Sequence, residues 1–166
     1  MIRKVKIEDY KELGELHVRS WQEAYIGLLP QELLDNLDLE DKANRWKTII
    51  EQANSNVLVD VVNGKIAGFI SSARCRDSDT DESWAEIFSL YYLKEYWGQG
   101  RASILLNKAL SDLTQAGFSK LSLWVLQGND RAIGFYQKLG FEFDGAKKLE
   151  PIQTYKLTEL RMLKHL

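Results

Sequence analysis

A short strand, a loop with two glycines and an apolar helix follow one another in the second half of the chain, and this succession limits the folds open to it. The strand, Trp84–Tyr92, is rich in aromatic and aliphatic residues. The helix, residues 103–116, has leucines and alanines at helical spacing, and Gly117 is its expected stop. Gly98 and Gly100 allow a sharp turn between the two elements. The pattern predicts a strand-to-helix unit of an α/β protein.

The rest of the chain alternates between strand and helix periodicity. Strands are predicted at residues 2–7, 56–62, 65–72, 121–126, 141–143 and 155–162, and helices from residue 8, around residues 33–37, from residue 41 and at residues 130–139. Asn63 and Gly64 join two of these strands and favour a type I′ hairpin turn. At roughly 100–200 residues per domain, we expect one domain, residues 1–166, with a mixed α/β fold and a central sheet.

Composition excludes several classes of protein. The 22 Lys and Arg residues against 24 Asp and Glu residues leave a net charge of −2, which argues against a strongly cationic nucleic-acid binder. One cysteine and two histidines provide neither a disulfide nor a recognisable metal-ligand spacing. No apolar run approaches the roughly 18 residues that cross a bilayer, and the first residues lack a secretory signal pattern. We therefore expect a cytoplasmic protein with no metal and with neither nucleic acid nor a membrane as partner.

The glycine loop suits a phosphate or a pyrophosphate. Successive main-chain N–H groups can face one concavity there, and the following helix adds its own free N–H groups and the positive end of its dipole. Arg101 is available for further charge. A P-loop is excluded because the string G-x-x-x-x-G-K-[ST] is absent, and a dinucleotide fingerprint fails because the next strand ends in Leu126-Gln127-Gly128 without a carboxylate. A tight turn with no ligand stays open.

Two segments together resemble the GNAT superfamily of acyl-CoA-dependent N-acyltransferases. The loop Trp97-Gly98-Gln99-Gly100-Arg101-Ala102 is similar to the family's pyrophosphate loop, [Q/R]-x-x-G-x-[G/A]. Residues 129–141, NDRAIGFYQKLGF, match its second hallmark, N-x-x-A-x-x-F-Y-x-K-x-G-F. The resemblance covers residues 55–162 clearly and the first helices more loosely. It implies a central mixed sheet, flanked by helices, in which two adjacent parallel strands splay apart beside a bulge.

The resemblance also assigns a cofactor site for acetyl-CoA. It places the pyrophosphate on the main chain of the glycine loop and the pantetheine arm along the first splayed strand, around Leu90 and Tyr92. The implied cofactor-binding residues are Leu90, Tyr92, Trp97, Gly98, Gln99, Gly100, Arg101, Ala102 and Asn129. Asn129 also suits an ordinary N-cap, and both roles are compatible.

Trp97 departs from the family pattern. It stands where the family usually has Gln or Arg, so a side-chain contact to the pyrophosphate is missing at this position. The main-chain N–H groups of the loop do not depend on that side chain. Two placements stay open for Trp97: against the pantetheine or the neighbouring helix, and at the surface.

Acyl transfer from a thioester to an amine requires two proton transfers. The ammonium (pKa about 10.4) must lose a proton before attack, and the departing thiol (pKa about 8.5) benefits from a donor. By resemblance, Tyr136 donates to the thiolate, with anchoring of its helix as the alternative. Glu86 matches a glutamate that acts as the base in some family members. The alternatives for Glu86 are orientation of the substrate, a cap at the start of its strand, and a relay through ordered water.

The resemblance predicts direct transfer of an acetyl group to a primary amine in a ternary complex, with no covalent enzyme intermediate. The family selects its acceptor with the first helices and the loop before the third strand. Here these are the aromatic segment 21–25 and an acidic loop whose carboxylates, Asp77, Asp79, Asp81 and Glu82, either attract cationic amines or are simply solvated. His17 and Cys75 are expected to be structural. Other hypotheses are a non-catalytic acyl-CoA sensor and a plain interaction module, and a homodimer is left open.

Overall fold

The computed structural model describes residues 1–166, which form a seven-stranded sheet with helices on both faces. The strands are β1 (Ile2–Lys4), β2 (Asn56–Val62), β3 (Lys65–Arg74), β4 (Trp84–Tyr92), β5 (Lys120–Leu126), β6 (Glu142–Ile152) and β7 (Tyr155–His165). The helices are α1 (Tyr10–Ala24), α2 (Gln31–Asp35), α3 (Leu39–Gln52), α4 (Arg101–Gln115) and α5 (Asp130–Lys138). None of the helices is long and apolar enough to cross a membrane.

The sheet has the order β1-β2-β3-β4-β5-β7-β6, and its central pair is parallel while every other pair is antiparallel. β4 and β5 pair only from Trp84 to Ile87. Directly after Ile87 the register between β3 and β4 shifts, because Phe88 has no partner residue in β3. An extra residue of this kind bends its strand. The predicted splayed parallel strands beside a bulge are thus confirmed.

Two apolar cores lie on opposite faces of the sheet, because successive side chains of a strand point to opposite sides. On one face, α4 and α5 pack over β2 to β5, with Leu105, Leu121 and Phe141 almost inaccessible to solvent. On the other face, α1 and α3 pack over β2 and β3, around Leu13 and Phe69. Burial of these apolar side chains fixes both helix layers against a sheet whose centre is split.

The predicted strands and helices agree with the observed ones except at the end of the chain. The hairpin turn is confirmed, since Asn63 (φ 51°) and Gly64 (φ 80°) both adopt the left-handed conformation. The last two strands run to Ile152 and His165 and are longer than predicted. β6 is a solvent-exposed edge strand with a register shift after Phe143, so its sequence lacks the alternation that marks a half-buried strand.

The acidic loop is tied to β7 by one arginine. Arg161 is 6% exposed and donates hydrogen bonds to Asp77, to both oxygens of Asp79, and to Asp144 over 2.6–3.1 Å. Together these carboxylates raise the pKa of Arg161. Glu82 pairs with Arg74. Most of the loop's carboxylates therefore have cationic partners within the chain, an arrangement that neither a rim attracting amines nor a simply solvated loop anticipates.

We expect Arg161→Met to lower the free energy of unfolding by about 3 kcal/mol, because it leaves Asp77, Asp79 and Asp144 close together without their shared cation. Urea unfolding at pH 7 measures this change. The matched control is Arg74→Met, which breaks an exposed pair and should cost less than about 1 kcal/mol. Equal losses in the two variants would contradict a stabilising role for the Arg161 cluster.

Candidate active site

The glycine loop presents a row of free main-chain N–H groups at the carboxyl end of β4. Gly98 (φ 72°) and Gly100 (φ 74°) adopt the left-handed conformation, and no atom lies within 4 Å of where their Cβ atoms would be. Gly100 is the N-cap of α4 and provides no side chain to cap it. The N–H groups of residues 98–103 donate no hydrogen bond within the chain. This open concavity at a helix N-terminus has the form of an anion site.

The polar side chains of the loop turn away from this concavity. Gln99 donates from Nε2 to the carbonyl oxygen of Glu95 at 2.8 Å. Arg101 donates to Asp60 Oδ2 at 2.9 Å, and the Tyr92 hydroxyl donates to the same oxygen at 3.2 Å. Burial alone would raise the pKa of Asp60, but the hydrogen bonds, with that from Arg101 the largest, lower it below the ordinary value. Arg101 therefore anchors the start of α4 to β2. Its side-chain charge is paired with Asp60, and its main-chain N–H is the group that faces no partner in the chain.

The main-chain groups of Leu90 and Tyr92 face the gap between β4 and β5. The N–H of Leu93 donates to Ala67 across β3, and main-chain directions alternate along an antiparallel strand. Leu90 and Tyr92 consequently point to the opposite edge, from which β5 has moved away. The Tyr92 carbonyl accepts a hydrogen bond from Trp97 Nε1 at 2.8 Å, so its oxygen is engaged. The main-chain N–H and carbonyl of Leu90 have no partner on this edge of β4, and an extended ligand can pair with such groups.

Asn129 lies at the end of β5, on the other side of the gap, and is buried. Its Oδ1 accepts a hydrogen bond from the Ala132 N–H at 3.2 Å, which confirms the N-cap interpretation. Its Nδ2 donates to no group of the chain. The predicted contact of Asn129 with the cofactor is compatible with this geometry and stays a prediction, as do the cofactor roles of the loop residues.

A cavity of about 620 Å³ continues from the gap between the strands into the body of the protein. Its walls come from β4 and β5, from α1 and α3 with the segments beside them, from α5, and from the β6–β7 hairpin. Leu90 and Asn129 lie on it, and so do both candidate catalytic residues, Tyr136 and Glu86. The fold thus brings together around one cavity residues that are up to 50 positions apart in the sequence.

Tyr136 is buried in the first core and its hydroxyl has no hydrogen-bond partner in the chain. Its ring contacts those of Phe135 and Phe141, with centroids 5.1 and 5.5 Å away. Burial raises the pKa of Tyr136, which keeps the hydroxyl protonated near neutral pH. Its helix is therefore anchored by the aromatic contacts while a protonated oxygen remains available, so both interpretations of Tyr136 fit the structure.

Glu86 is 2% exposed, but its surroundings are not purely apolar. Arg76 donates to its carboxylate from NH2 at 2.8 Å, from Nε at 3.2 Å and from the main-chain N–H at 3.3 Å. The guanidinium of Arg76 also lies over the Phe88 ring, 4.1 Å from its centroid. Sequence patterns missed Arg76, because it begins an acidic loop and only the folded chain brings it beside Glu86.

A half-buried carboxylate, that of Glu159, also lines the cavity. Burial raises the pKa of Glu159, the nearby Glu150 and Glu86 add to the effect, and the Lys148 ammonium at 3.4 Å partly opposes it. Glu159 lies on β7, in the stretch predicted as a closing strand, where its sequence gave no functional signal. Glu86, Glu150 and Glu159 line the cavity together with their cationic partners, Arg76 and Lys148.

Aromatic rings form the wall of the cavity beneath α1. Tyr25 and Tyr91 share a hydrogen bond between their hydroxyl oxygens at 2.9 Å, and both line the cavity with Trp21. His17 lies behind them, 5.2 Å from the ring of Tyr91, and accepts a hydrogen bond from Trp46 Nε1. Burial, with a smaller contribution from the Lys42 ammonium, lowers the pKa of His17 to about 3. A neutral histidine packed in this way is structural, as expected from the sequence.

Comparison with known proteins gives a consistent family. The acetyltransferase (GNAT) family matches residues 10–141. An uncharacterized N-acetyltransferase of Bacillus subtilis, YuaI, is 31% identical over 82% of this chain and 76% of its own length. Spermidine N(1)-acetyltransferase of Thermoplasma acidophilum is 26% identical over 86% of this chain and 88% of its own length.

Solved structures share the fold over the whole chain. The PaiA N-acetyltransferase of Thermoplasma acidophilum in complex with coenzyme A has a TM-score of 0.76 at 24% identity, covering 100% of this chain and 98% of the other. Ribosomal-protein-alanine N-acetyltransferase of Brucella melitensis has a TM-score of 0.77 at 23% identity, covering 100% and 99%. At these identities the likeness establishes the common fold.

We expect His17→Gln to flatten the pH dependence of stability between about pH 6.5 and pH 4.5. A folded pKa of about 3 means that the unfolded chain binds a proton below pH 6.5 that the folded chain does not, so wild-type stability falls as the pH falls. Where the unfolded histidine is protonated and the folded one is not, the free energy of unfolding falls by about 1.4 kcal/mol for each pH unit. Urea unfolding at about pH 7.5, 6.0, 5.0 and 4.5 measures this slope in both proteins. Glutamine keeps an acceptor for Trp46 but does not titrate. Parallel curves for both proteins would show that His17 does not contribute.

Proposed function

Because the chain belongs to the acetyltransferase (GNAT) family, we propose that this enzyme transfers the acetyl group of acetyl-CoA to a primary amine within a ternary complex. The observation that carries the proposal is one continuous path. It begins at the free N–H groups of residues 98–103, follows the open edge of β4 at Leu90, and ends in the cavity that holds Tyr136 and Glu86. Acetyl-CoA would supply a thioester whose carbonyl carbon is open to attack by the amine.

The proposed cofactor contacts come mainly from the main chain. The N–H groups of residues 98–103 bind the diphosphate, and the dipole of α4 adds to the positive potential there. The exposed edge of β4 orients the pantetheine arm, and Asn129 donates its free amide from the opposite side of the gap. These contacts hold the acyl donor in place beside the amine, and positioning of this kind accounts for a large part of the rate.

The two proton transfers are assigned to Glu86 and Tyr136. Glu86 accepts the proton that the ammonium group loses, and its Arg76 partner holds the carboxylate in one orientation. Tyr136 donates its hydroxyl proton to the sulfur that leaves, as the new amide bond forms and the thioester bond breaks, and the second proton lost by the amine nitrogen restores the hydroxyl. The hydroxyl suits this step because it is protonated and is not held by another group of the chain.

The aromatic wall of the cavity favours a cationic acceptor, because its π-faces attract an ammonium group. Glu86, Glu150 and Glu159 add carboxylate oxygens that can accept hydrogen bonds, with their charge partly neutralised by Arg76 and Lys148. Since one relative is a spermidine N(1)-acetyltransferase, polyamines come first in the acceptor panel, followed by peptides with a free N-terminus and by lysine side chains. Release of free thiol from acetyl-CoA in the presence of each amine tests the proposal. Saturable binding of coenzyme A without thiol release on any acceptor would support the acyl-CoA sensor, and no binding would support an interaction module.

We expect Tyr136→Phe to reduce kcat by about 100-fold or more, because the sulfur then leaves without a positioned donor. Affinity for coenzyme A should stay near the wild-type value, since the contact is made to the reacting sulfur. Thiol release and isothermal calorimetry measure the two quantities. The matched control is Tyr10→Phe, since Tyr10 lies on α1 outside the cavity, and it should change neither. An unchanged kcat for Tyr136→Phe would leave the ring with a packing role only.

We expect Glu86→Gln to lower kcat near neutral pH and to move the rising limb of the pH–rate profile towards the pKa of the amine. The amide cannot accept the proton, so the reaction then depends on amine that is already neutral in solution. Glu82→Gln is the control, because Glu82 is exposed and pairs only with Arg74. A profile identical to that of the wild type would favour a water relay over Glu86 as the base.

A further inference from the structure

Arg131 is the one arginine of this chain that has no carboxylate partner. The chain contains eight arginines, and the other seven each form an ion pair: Arg3, Arg19, Arg45, Arg74, Arg76, Arg101 and Arg161. Arg131 forms no ion pair and is exposed at the mouth of the cavity. Partial burial lowers the pKa of Arg131, and no ion pair within the chain offsets this effect. A guanidinium in this position is free to bind an anion from outside.

The guanidinium is held in a fixed place by Trp97. Its central carbon lies 3.5 Å from the centroid of the Trp97 ring, which is close stacking contact. The ring is itself fixed, because Trp97 Nε1 donates to the Tyr92 carbonyl at 2.8 Å. Trp97 immediately precedes Gly98, so the residue on which the cation stacks belongs to the same loop as the free N–H groups. The indole therefore serves as a platform and does not bind the anion itself.

The topology explains why a residue of α5 reaches this loop. β4 and β5 are parallel, so their carboxyl ends lie at the same edge of the sheet, and the starts of α4 and α5 lie on either side of the gap. Arg131 occupies the first turn of α5, where the helix dipole disfavours a cation. Asp130 lies in the same turn but forms no ion pair with Arg131, and an anion between the two helix starts would stabilise the cation.

We propose that Arg131, stacked on Trp97, binds the diphosphate of acetyl-CoA from the α5 side of the gap and so supplies the side-chain contact that Trp97 cannot make. This inference rests on the proposed function, since it requires coenzyme A in the gap. It assigns Trp97 a positioning role and Arg131 a cofactor-binding role. The free N–H groups of residues 98–103 and the guanidinium then contact the same diphosphate from two sides.

The test compares three ligands by isothermal calorimetry: coenzyme A, 3′-dephospho-coenzyme A and pantetheine. We expect Arg131→Gln to weaken binding of the first two by about 10-fold, the value of one charge-assisted contact, and to leave pantetheine unaffected. The affinity of the variant should also depend less on salt concentration. Arg131→Lys, which keeps the charge but loses the planar stack, should retain part of the affinity. Arg74→Gln is the matched control with an exposed arginine away from the cavity, and it should bind as the wild type does.

Each other outcome overturns a defined part of the proposal. Unchanged coenzyme A affinity in Arg131→Gln, with tight binding by the wild type, would overturn the role of Arg131 alone. A loss seen with coenzyme A but not with the 3′-dephospho form would move the contact to the 3′-phosphate and overturn the diphosphate assignment. An equal loss with pantetheine would show that the variant disturbs the fold. Absence of binding by the wild type would overturn the proposed function itself.

Discussion

The separation of β4 from β5 after Ile87 is the constraint on which the rest of the site depends. Parallel strands normally pair along their length, and an unpaired row of main-chain groups in the middle of a sheet is unfavourable. Here the pairing ends after four residues of β4, beside the unpaired Phe88. The exposed edge of β4 therefore needs a hydrogen-bonding partner from outside the sheet. A ligand arm that lies in this gap satisfies the same groups that a neighbouring strand would.

Charge around the gap is arranged so that one end is positive and the other holds carboxylates. The loop end holds the free N–H groups, the starts of two helices and the Arg131 guanidinium. The Arg101 side chain is instead paired with Asp60. In the cavity, Glu86 and Glu159 are each paired with a cation, Arg76 and Lys148. The loop end would thus attract the anionic cofactor, while the cavity would offer the acceptor carboxylate oxygens and aromatic faces.

Local signals identified the elements, and contacts distant in sequence completed the site. Gly98 and Gly100, the Asn63-Gly64 turn and the leucine spacing of α4 depend on neighbouring residues, so they could be read from the sequence. The partners of the charged groups could not, because they pair across elements: Arg161 binds Asp77 from 84 positions away, and Arg101 binds Asp60 from 41. The same reason hid the Arg131 stack, since neither Arg131 nor Trp97 carries a local pattern that links the two. The predicted strand at residues 141–143 is shorter than β6, because β6 is exposed and its polar sequence lacks the alternation of a strand with one buried face.

The two candidate proton-transfer groups differ in their surroundings in a way that separates their roles. Tyr136 comes from α5, its ring packs in the first core and its hydroxyl has no partner in the chain, so burial favours the neutral, protonated form that can donate. Glu86 comes from β4, and hydrogen bonds from Arg76 hold its carboxylate in one orientation. Both groups line the same cavity, Tyr136 from the helix that follows β5 and Glu86 from β4. An unpartnered, protonated hydroxyl suits the role of proton donor, and a carboxylate fixed in position suits the role of acceptor.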